Sequence, residues 1–287
     1  MQINKYQILL QIVDNGSIKK ASESLGYTQS AVSQALKSIE DEFGIKVLVR
    51  KKNGIRLTSE GEQIMPYVRS ICNTESYLHQ KIDSLKGVFA GNISIGAYHS
   101  VAATILPQMI KEFNELHPKI RFHIYEGDFF DIEDWIHDGK VDFGFLSIDE
   151  FKQFQTIPLV EDPMVAVVSP ESVDARKELF DINLFNDREV IALNEHRDRE
   201  LFRIFRNNGI KTITKYEVEE YETVIGMVAN GLGIGLLPAM SVKDSDNVVC
   251  IPTDPYYYRR IGIVLRDLDR APSAVRAFVD YAEKRYR

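Results

Sequence analysis

The sequence predicts an α+β multidomain chain: an N-terminal winged helix-turn-helix over residues 1–58, a long linker helix over 59–88, and a C-terminal body of two α/β units over 89–287. Three observations carry this reading. Ser17–Phe43 reads as two short helices folded across a tight turn and followed by a hairpin. Residues 59–87 hold their apolar side chains in a sustained four-three alternation. From Gly91 onward strand and helix patterns alternate, which favours an α/β architecture with parallel sheets. A chain of 287 residues is also too long for one small domain.

Residues 4–15 form the first helix, with Tyr6, Leu9, Leu10 and Val13 as the stripe that covers the helix pair behind it. Gly16 ends it. Ser17 is the N-cap of the second helix, Ala21 is small enough for close helix approach, and the Gly26-Tyr27 turn hands the chain to a further N-cap at Thr28. In the third helix Val32, Leu36, Ile39 and Phe43 recur at steps of four, three and four, so they are buried together. At about 100° per residue, Ser30, Ser33, Gln34 and Lys37 point away from that stripe, with Gln29 at the shoulder and Thr28 at the helix start. No acid appears on this face before Ile39. Gln can pair with adenine edges, Ser with several bases, and Lys with guanine or a phosphate, so the face suits the major groove. A plain two-helix packing unit is the alternative; an ordinary solvated face would mix in Glu or Asp.

Gly44 closes the third helix, and residues 45–58 read as two short strands around an Asn53-Gly54 turn. Arg50, Lys51, Lys52 and Arg56 gather four cations on this wing, suited to phosphate or minor-groove contact. Here the sequence resembles the LysR-type transcriptional regulators. The resemblance rests on Ala21, Leu25, the run Ser30-Ala31-Val32-Ser33-Gln34, Ile39-Glu40, Phe43-Gly44, Leu48, Arg50, Leu57-Thr58 and Gly61, all in register. Val49 departs from it, since members usually carry Phe there, which bears on wing packing. The resemblance implies a homodimer or homotetramer on an inverted-repeat operator in double-stranded DNA, a small-molecule effector, and RNA polymerase as a further partner.

After the wing, Ser59 opens a long helix with Glu62 in capping-box position. Ile64, Val68, Ile71, Leu78, Ile82 and Leu85 follow the heptad, with Glu75 at its one polar step, so a partner helix is expected; packing on its own domain is the alternative. The resemblance implies the same, because LysR-type regulators dimerise through this helix. Pro66 should bend the helix at its second turn. The net charge of −7 divides unevenly: residues 1–90 hold 12 Lys or Arg against 9 Asp or Glu, and the remainder 23 against 33. The positive field therefore lies at the DNA-facing end. Two cysteines without paired spacing argue against a disulfide framework and a thiolate metal site. With neither an apolar signal segment nor a bilayer-length apolar run, a cytoplasmic chain with no membrane partner is expected.

In the body, strands are expected at Asn92–Ala97, Ile120–Glu126 and Val141–Leu146, with helices at 101–116 and near 131–138. A second unit follows, with strands at Met164–Val168, Val190–Leu193 and Ile213–Val218 and helices near 197–207 and 221–230. GLGIGLLP (231–238) leads into another short strand, residues 259–265 form the last strand, and 272–286 form a closing helix that returns the chain to the first unit. The first unit is thus expected over about 91–161 and 266–287, the second over 162–265. Such a body resembles the effector-binding domain of LysR-type regulators, which is similar in fold to periplasmic solute-binding proteins. Ligands in such sheets sit beyond the carboxyl ends of strands. That places Ser100 and Val101, Asp128 and Phe129, Ser147, Asn194 and Glu195, and Glu219 at the candidate effector site. The helix start at Ser100 suits an anion, the acids suit an amine or hydroxyls, and an amphoteric or hydroxylated anion is the resulting expectation. That Ser100 contacts effector is implied by the resemblance; capping its own helix is the alternative.

No cofactor, metal or catalytic residue is expected. His196-Arg197-Asp198 and Asp142-Phe143-Gly144 mimic kinase motifs, but in reversed order and without a Gly-rich loop. Gly231-x-Gly233-x-Gly235 follows a helix and opens a strand, the opposite of a dinucleotide fingerprint, and the six histidines show no metal spacing. The rivals are an effector-independent DNA-binding regulator and, more remotely, an enzyme with a DNA-binding head.

Overall fold

The computed structural model describes residues 5–51, 54–85, 89–149, 151, 153–194 and 199–286. They form two compact units, Met1–Gly91 with His137–Val141, and Asn92–Ile136 with Asp142–Arg287.

The first unit contains α1 (Lys5–Asn15), α2 (Ile18–Leu25), α3 (Gln29–Phe43), the antiparallel pair β1 (Leu48–Lys51) and β2 (Gly54–Leu57), and α4 (Ser59–Leu85). Its boundaries follow local chemistry. The Ser17 hydroxyl accepts from the Lys20 amide at 3.4 Å, and the Thr28 hydroxyl from the Ala31 amide at 3.2 Å. Gly26 ends α2 at φ 69°, a left-handed conformation that a side chain would strain. Gly54 is required for a second reason: a Cβ there would meet the Gly16 carbonyl oxygen at 2.9 Å, and that same oxygen accepts from the Ile55 amide at 3.0 Å. The wing is thereby tied to the turn before α2.

Two apolar clusters fill this unit. One joins Ile8, Ile12, Ile18, Ala21 and Val32; the other joins Leu9, Ile39, Val47, Met65 and Val68. The expected α1 stripe missed Ile8 and Ile12. Because α1 packs against α2, α3 and α4 at once, it buries more than one face. Each of the buried Val, Leu, Ile and Met side chains stabilises by about 1.5–3 kcal/mol on burial. The α4 helix continues through Pro66 to Leu85 and docks on α1 through Met65, Val68 and an Arg69–Asp14 ion pair of 2.6 Å.

The second unit runs β3 (Gly91–Ala97), α5 (His99–Thr104), α6 (Leu106–Leu116), β4 (Ile120–Glu126), α7 (Phe129–His137), β5 (Phe143–Ser147), β6 (Gln155–Val168), β7 (Phe180–Asp181), β8 (Glu189–Leu193), α8 (Arg199–Asn207), β9 (Ile213–Val218), α9 (Tyr221–Ala229), β10 (Gly235–Pro238), α10 (Ala239–Val242), β11 (Val249–Asp254), β12 (Tyr258–Leu265) and α11 (Ser273–Tyr286). Among the described residues the main ladder is β4-β3-β5-β12-β6-β11-β7, with β10 also on β6. The sheet is mixed, not parallel as expected. β3 and β5 are parallel, but β12 runs antiparallel to both β5 and β6, because it carries the chain back from the second half to the first.

The 14-residue β6 spans two lobes. Its residues 155–163 pair with β12, and 164–168 pair with β10 and β11. The first lobe packs α11 on its sheet through Phe278, whose ring lies 5.1 Å from Phe113 and 5.8 Å from Phe143. The second lobe buries both sheet faces by alternation. Met164, Ala166 and Val168 face α8, whereas Val165 and Val167 face α9. The single helix expected over 101–116 is two, divided at Ile105, because Pro107 supplies no amide to continue the ladder. The strand expected at Met164–Val168 is the end of β6, whose first half was hidden by Pro158, Pro163 and the acidic pair Glu161-Asp162. β7, α10 and β11 had no sequence expectation.

Candidate functional site

On α3, Thr28, Gln29, Ser30, Gln34 and Lys37 are exposed or half-buried and Ser33 is half-buried, while Val32 and Ile39 are fully buried on the opposite side. The wing shows Arg50, Lys51 and Arg56 exposed; Lys52 and Asn53 lie outside the described residues. Register separates the two arginines. Arg50 is paired with Ile55 and Arg56 with Val49, so they leave opposite faces of the ribbon. Of the two, Arg50 joins α3, in a groove of about 350 Å³ lined by Ser33, Lys37, Glu40, Lys46 and Val49.

Glu40 holds this groove together, a role no local pattern signalled. Its Oε1 accepts the Val47 and Leu48 amides at 3.0 and 3.3 Å, and Oε2 accepts Lys46 Nζ at 2.6 Å. Burial works against its charge, but the Lys46 hydrogen bond, the two amides and the Lys46 charge prevail and hold the carboxyl below its usual range. The end of α3 is thus fastened to the first strand of the wing.

Along α4 the heptad positions divide. Val68 is buried in the unit's own core and Ile64 packs beside it, and Glu75 accepts from Gln7 of α1 at 3.1 Å. Ile71, Leu78, Ile82 and Leu85 are exposed.

In the second unit a cleft of about 520 Å³ opens between the lobes. Arg259 lies at its floor, 3% exposed, between Asp162 and Ser100, which are 1% and 6% exposed. Its Nε donates to Asp162 Oδ2 at 2.9 Å and its Nη2 to the Ser100 hydroxyl at 2.8 Å, while Asp162 Oδ1 accepts the Met240 amide at 3.0 Å. Burial disfavours the guanidinium charge, but Asp162, Tyr221, Glu200 and Tyr98 together more than offset it, so its pKa is raised. Burial also pushes the Tyr98 phenol upward, and the Arg259 guanidinium lies 5.2 Å from that ring.

The rim is acidic. Glu126, Asp128 and Asp131 come from the first lobe, and Glu200, Glu219, Glu220 and Glu222 from the second. His99 spans them, with Nδ1 2.5 Å from Glu126 and Nε2 3.3 Å from Glu222. Its pKa is raised by the Glu126 hydrogen bond first, against burial, with the charges of Glu126, Glu222 and Glu220 adding. A second bridge joins α8 to α7, where the Arg199 guanidinium lies 4.5 Å from the Phe129 ring and 5.1 Å from Phe130.

Of the expected effector residues, Ser100, Asp128 and Glu219 line the cleft. Val101 is wholly buried behind it, Ser147 is buried in the β5–β12 ladder, and Phe129 packs on Phe151 at 4.9 Å. Asn194 reaches Glu219 at 3.4 Å, and Glu195 lies outside the described residues. Ser100 does not cap α5; that place falls to Tyr98, with no side-chain bond. His99, Glu126, Glu200, Tyr221, Glu222 and Arg259 were missed, although Glu126 is the last residue of β4, where strand-end logic applies.

Residues 86–287 match the family model for the LysR substrate binding domain, and residues 3–62 match that of the bacterial regulatory helix-turn-helix protein, lysR family. The chain belongs to the LysR family of transcriptional regulators. This LysR-type regulator is 27% identical over 288 residues to the HTH-type transcriptional regulator YvbU of Bacillus subtilis strain 168, covering 99% of this chain and 98% of that one. It is 25% identical over 274 residues to the DNA-binding transcriptional dual regulator OxyR of Escherichia coli K12, covering 93% and 90%. Its fold is similar to that of a full-length OxyR variant from Pseudomonas aeruginosa, with a TM-score of 0.76, 23% identity and coverage of 98% and 94%. It is a DNA-binding regulator with an effector-binding domain. Among its described residues no helix is long and apolar enough to cross a membrane, and no cluster of His, Cys, Asp or Glu could hold a metal ion.

Proposed function

We propose that this LysR-type regulator reads an inverted-repeat operator as a homo-oligomer and changes its grip when a small molecule enters the cleft of its effector-binding domain. Residues 1–58 make the DNA contacts, 59–88 the oligomer seam, and 89–287 the sensor. Support for the first step comes above all from the acid-free face of Thr28, Gln29, Ser30, Gln34 and Lys37, and from the groove that Ser33 and Lys37 share with Arg50. Lys51, Lys52 and Arg56 extend the phosphate-binding field along the wing. Two such faces related by a two-fold axis meet half-sites about 34–36 Å apart or a multiple of that. RNA polymerase is the further partner through which transcription responds.

A thiol-based response is the second reading, since OxyR relatives include a hydrogen peroxide-inducible genes activator. The two cysteines here favour a ligand instead. Burial pushes the Cys72 thiol up to about 11 and raises that of Cys250, which disfavours the thiolate that peroxide attacks. Nuclease footprinting of the full chain on the DNA upstream of its own and neighbouring genes tests the proposal. A symmetric protected site that shifts on adding a small molecule is expected; protection without sequence preference overturns it.

A further inference from the structure

We infer that the cleft takes a small organic cation with at least two amino groups, and this rests on the reading of that cleft as the effector site. Its chemistry is decided by the charges that face the cavity. Seven carboxylates line it among the described residues, against His99 and an Arg259 whose charge is already matched by Asp162. Arg199 stands beside the cleft but is stacked on Phe129 and Phe130. Residues 195–198 carry Glu, His, Arg and Asp, a composition that does not reverse the balance.

An independent observation agrees with the count. His99 crosses the rim between a carboxylate of each lobe, with Nδ1 2.5 Å from Glu126 and Nε2 3.3 Å from Glu222. The rim therefore already closes on a nitrogen base set between two carboxylates. At the start of α5, where an anion was expected, the Ser100 hydroxyl accepts from Arg259 Nη2 at 2.8 Å. A small anion would have to enter against an excess of carboxylates, in a cavity whose walls weaken solvent screening.

The spread of the acids argues for more than one ammonium. No group of three or more of them converges closely enough for a metal ion among the described residues, so a point charge would satisfy one edge and leave the others. A flexible diamine spans both lobes, and binding Glu126 on one side and Glu200 on the other couples occupancy to lobe closure. Tyr98 and Tyr221 supply apolar faces for the carbon chain between the nitrogens.

The test is calorimetry and thermal unfolding of the full chain with 1,4-diaminobutane, with succinate as the size-matched anion. The diamine should raise the unfolding temperature, and its affinity should fall with salt. Glu126→Gln and Glu200→Gln keep side-chain shape, and each should weaken it about tenfold or more. Glu219→Trp, on the exposed rim, obstructs the cleft for any ligand. Succinate binding that is lost in Glu219→Trp overturns the cationic class and keeps the cleft as the site. Diamine binding that survives Glu219→Trp moves the site elsewhere and overturns both. The absence of any diamine effect overturns the class alone.

Discussion

Arg259 and Asp162 are opposite each other in the ladder between β12 and β6, the two strands that join the lobes, and their side chains close the same link at 2.8 Å. Through Ser100 and the Met240 amide this pair touches α5 of one lobe and α10 of the other. These four groups therefore tie the two lobes together at the floor of the cleft.

Removing one partner leaves a charge in the interior without compensation. Arg259→Met or Asp162→Leu alone should destabilise the effector-binding domain by about 3–5 kcal/mol, whereas the double replacement should recover most of the loss. Urea unfolding followed by the Trp135 fluorescence checks this. Single and double variants of equal stability would show that the pair is not coupled.

Glu40 gives the head a pH dependence of known sign. Its pKa is lowered on folding, so its contribution is present above the ordinary carboxyl value near 4.5 and is lost as pH falls through the folded value. Glu40→Gln keeps an acceptor for the Val47 amide but loses the Lys46 pair, and should cost about 1–2 kcal/mol at neutral pH. The gap to wild type should narrow below pH 4.5, and a pH-independent gap would mean a packing defect instead.

Substitutions at Lys37 and Gln34, on one helix face, would separate two kinds of DNA contact. If Lys37 meets a phosphate, Lys37→Ala weakens all sequences alike and lowers the salt slope by about one. Gln34→Ala should instead reduce discrimination at one base pair by about 1–3 kcal/mol. Titrations of operator and scrambled DNA at several salt concentrations distinguish them. A Lys37→Ala protein with wild-type affinity for both would remove α3 from the DNA interface.

The helix-turn-helix was legible because its signals are local: caps at Ser17 and Thr28, an αL glycine at 26, and a stripe of four residues within one helix. Ile8 and Ile12 were not, since only the surrounding helices decide how many faces of α1 are buried. The cleft was legible as a place and only in part as a residue set. Ser100 and Arg259 meet across 159 positions of sequence, and the acids of the rim come from separate strand and helix ends. No spacing records such a meeting. The mixed sheet escaped for the same reason, because the direction of β12 depends on the return of the chain between lobes.

The division of α4 makes the oligomer seam testable against folding. Ile71 and Leu78 are 44% and 58% exposed within one chain, whereas Val68 is 3% exposed in the core of the head. Ile71→Asp with Leu78→Asp should therefore leave the fold of the chain intact while burying two unpaired charges in a partner seam, a strongly unfavourable outcome. Val68→Asp should do the reverse and unfold the head. Sedimentation velocity and circular dichroism read the two effects separately. The Ile71 and Leu78 double variant should sediment as a monomer with wild-type helicity and lose its two-fold footprint. If it keeps the wild-type oligomer, the exposed row on α4 is not the seam, and the partner must be met by another surface.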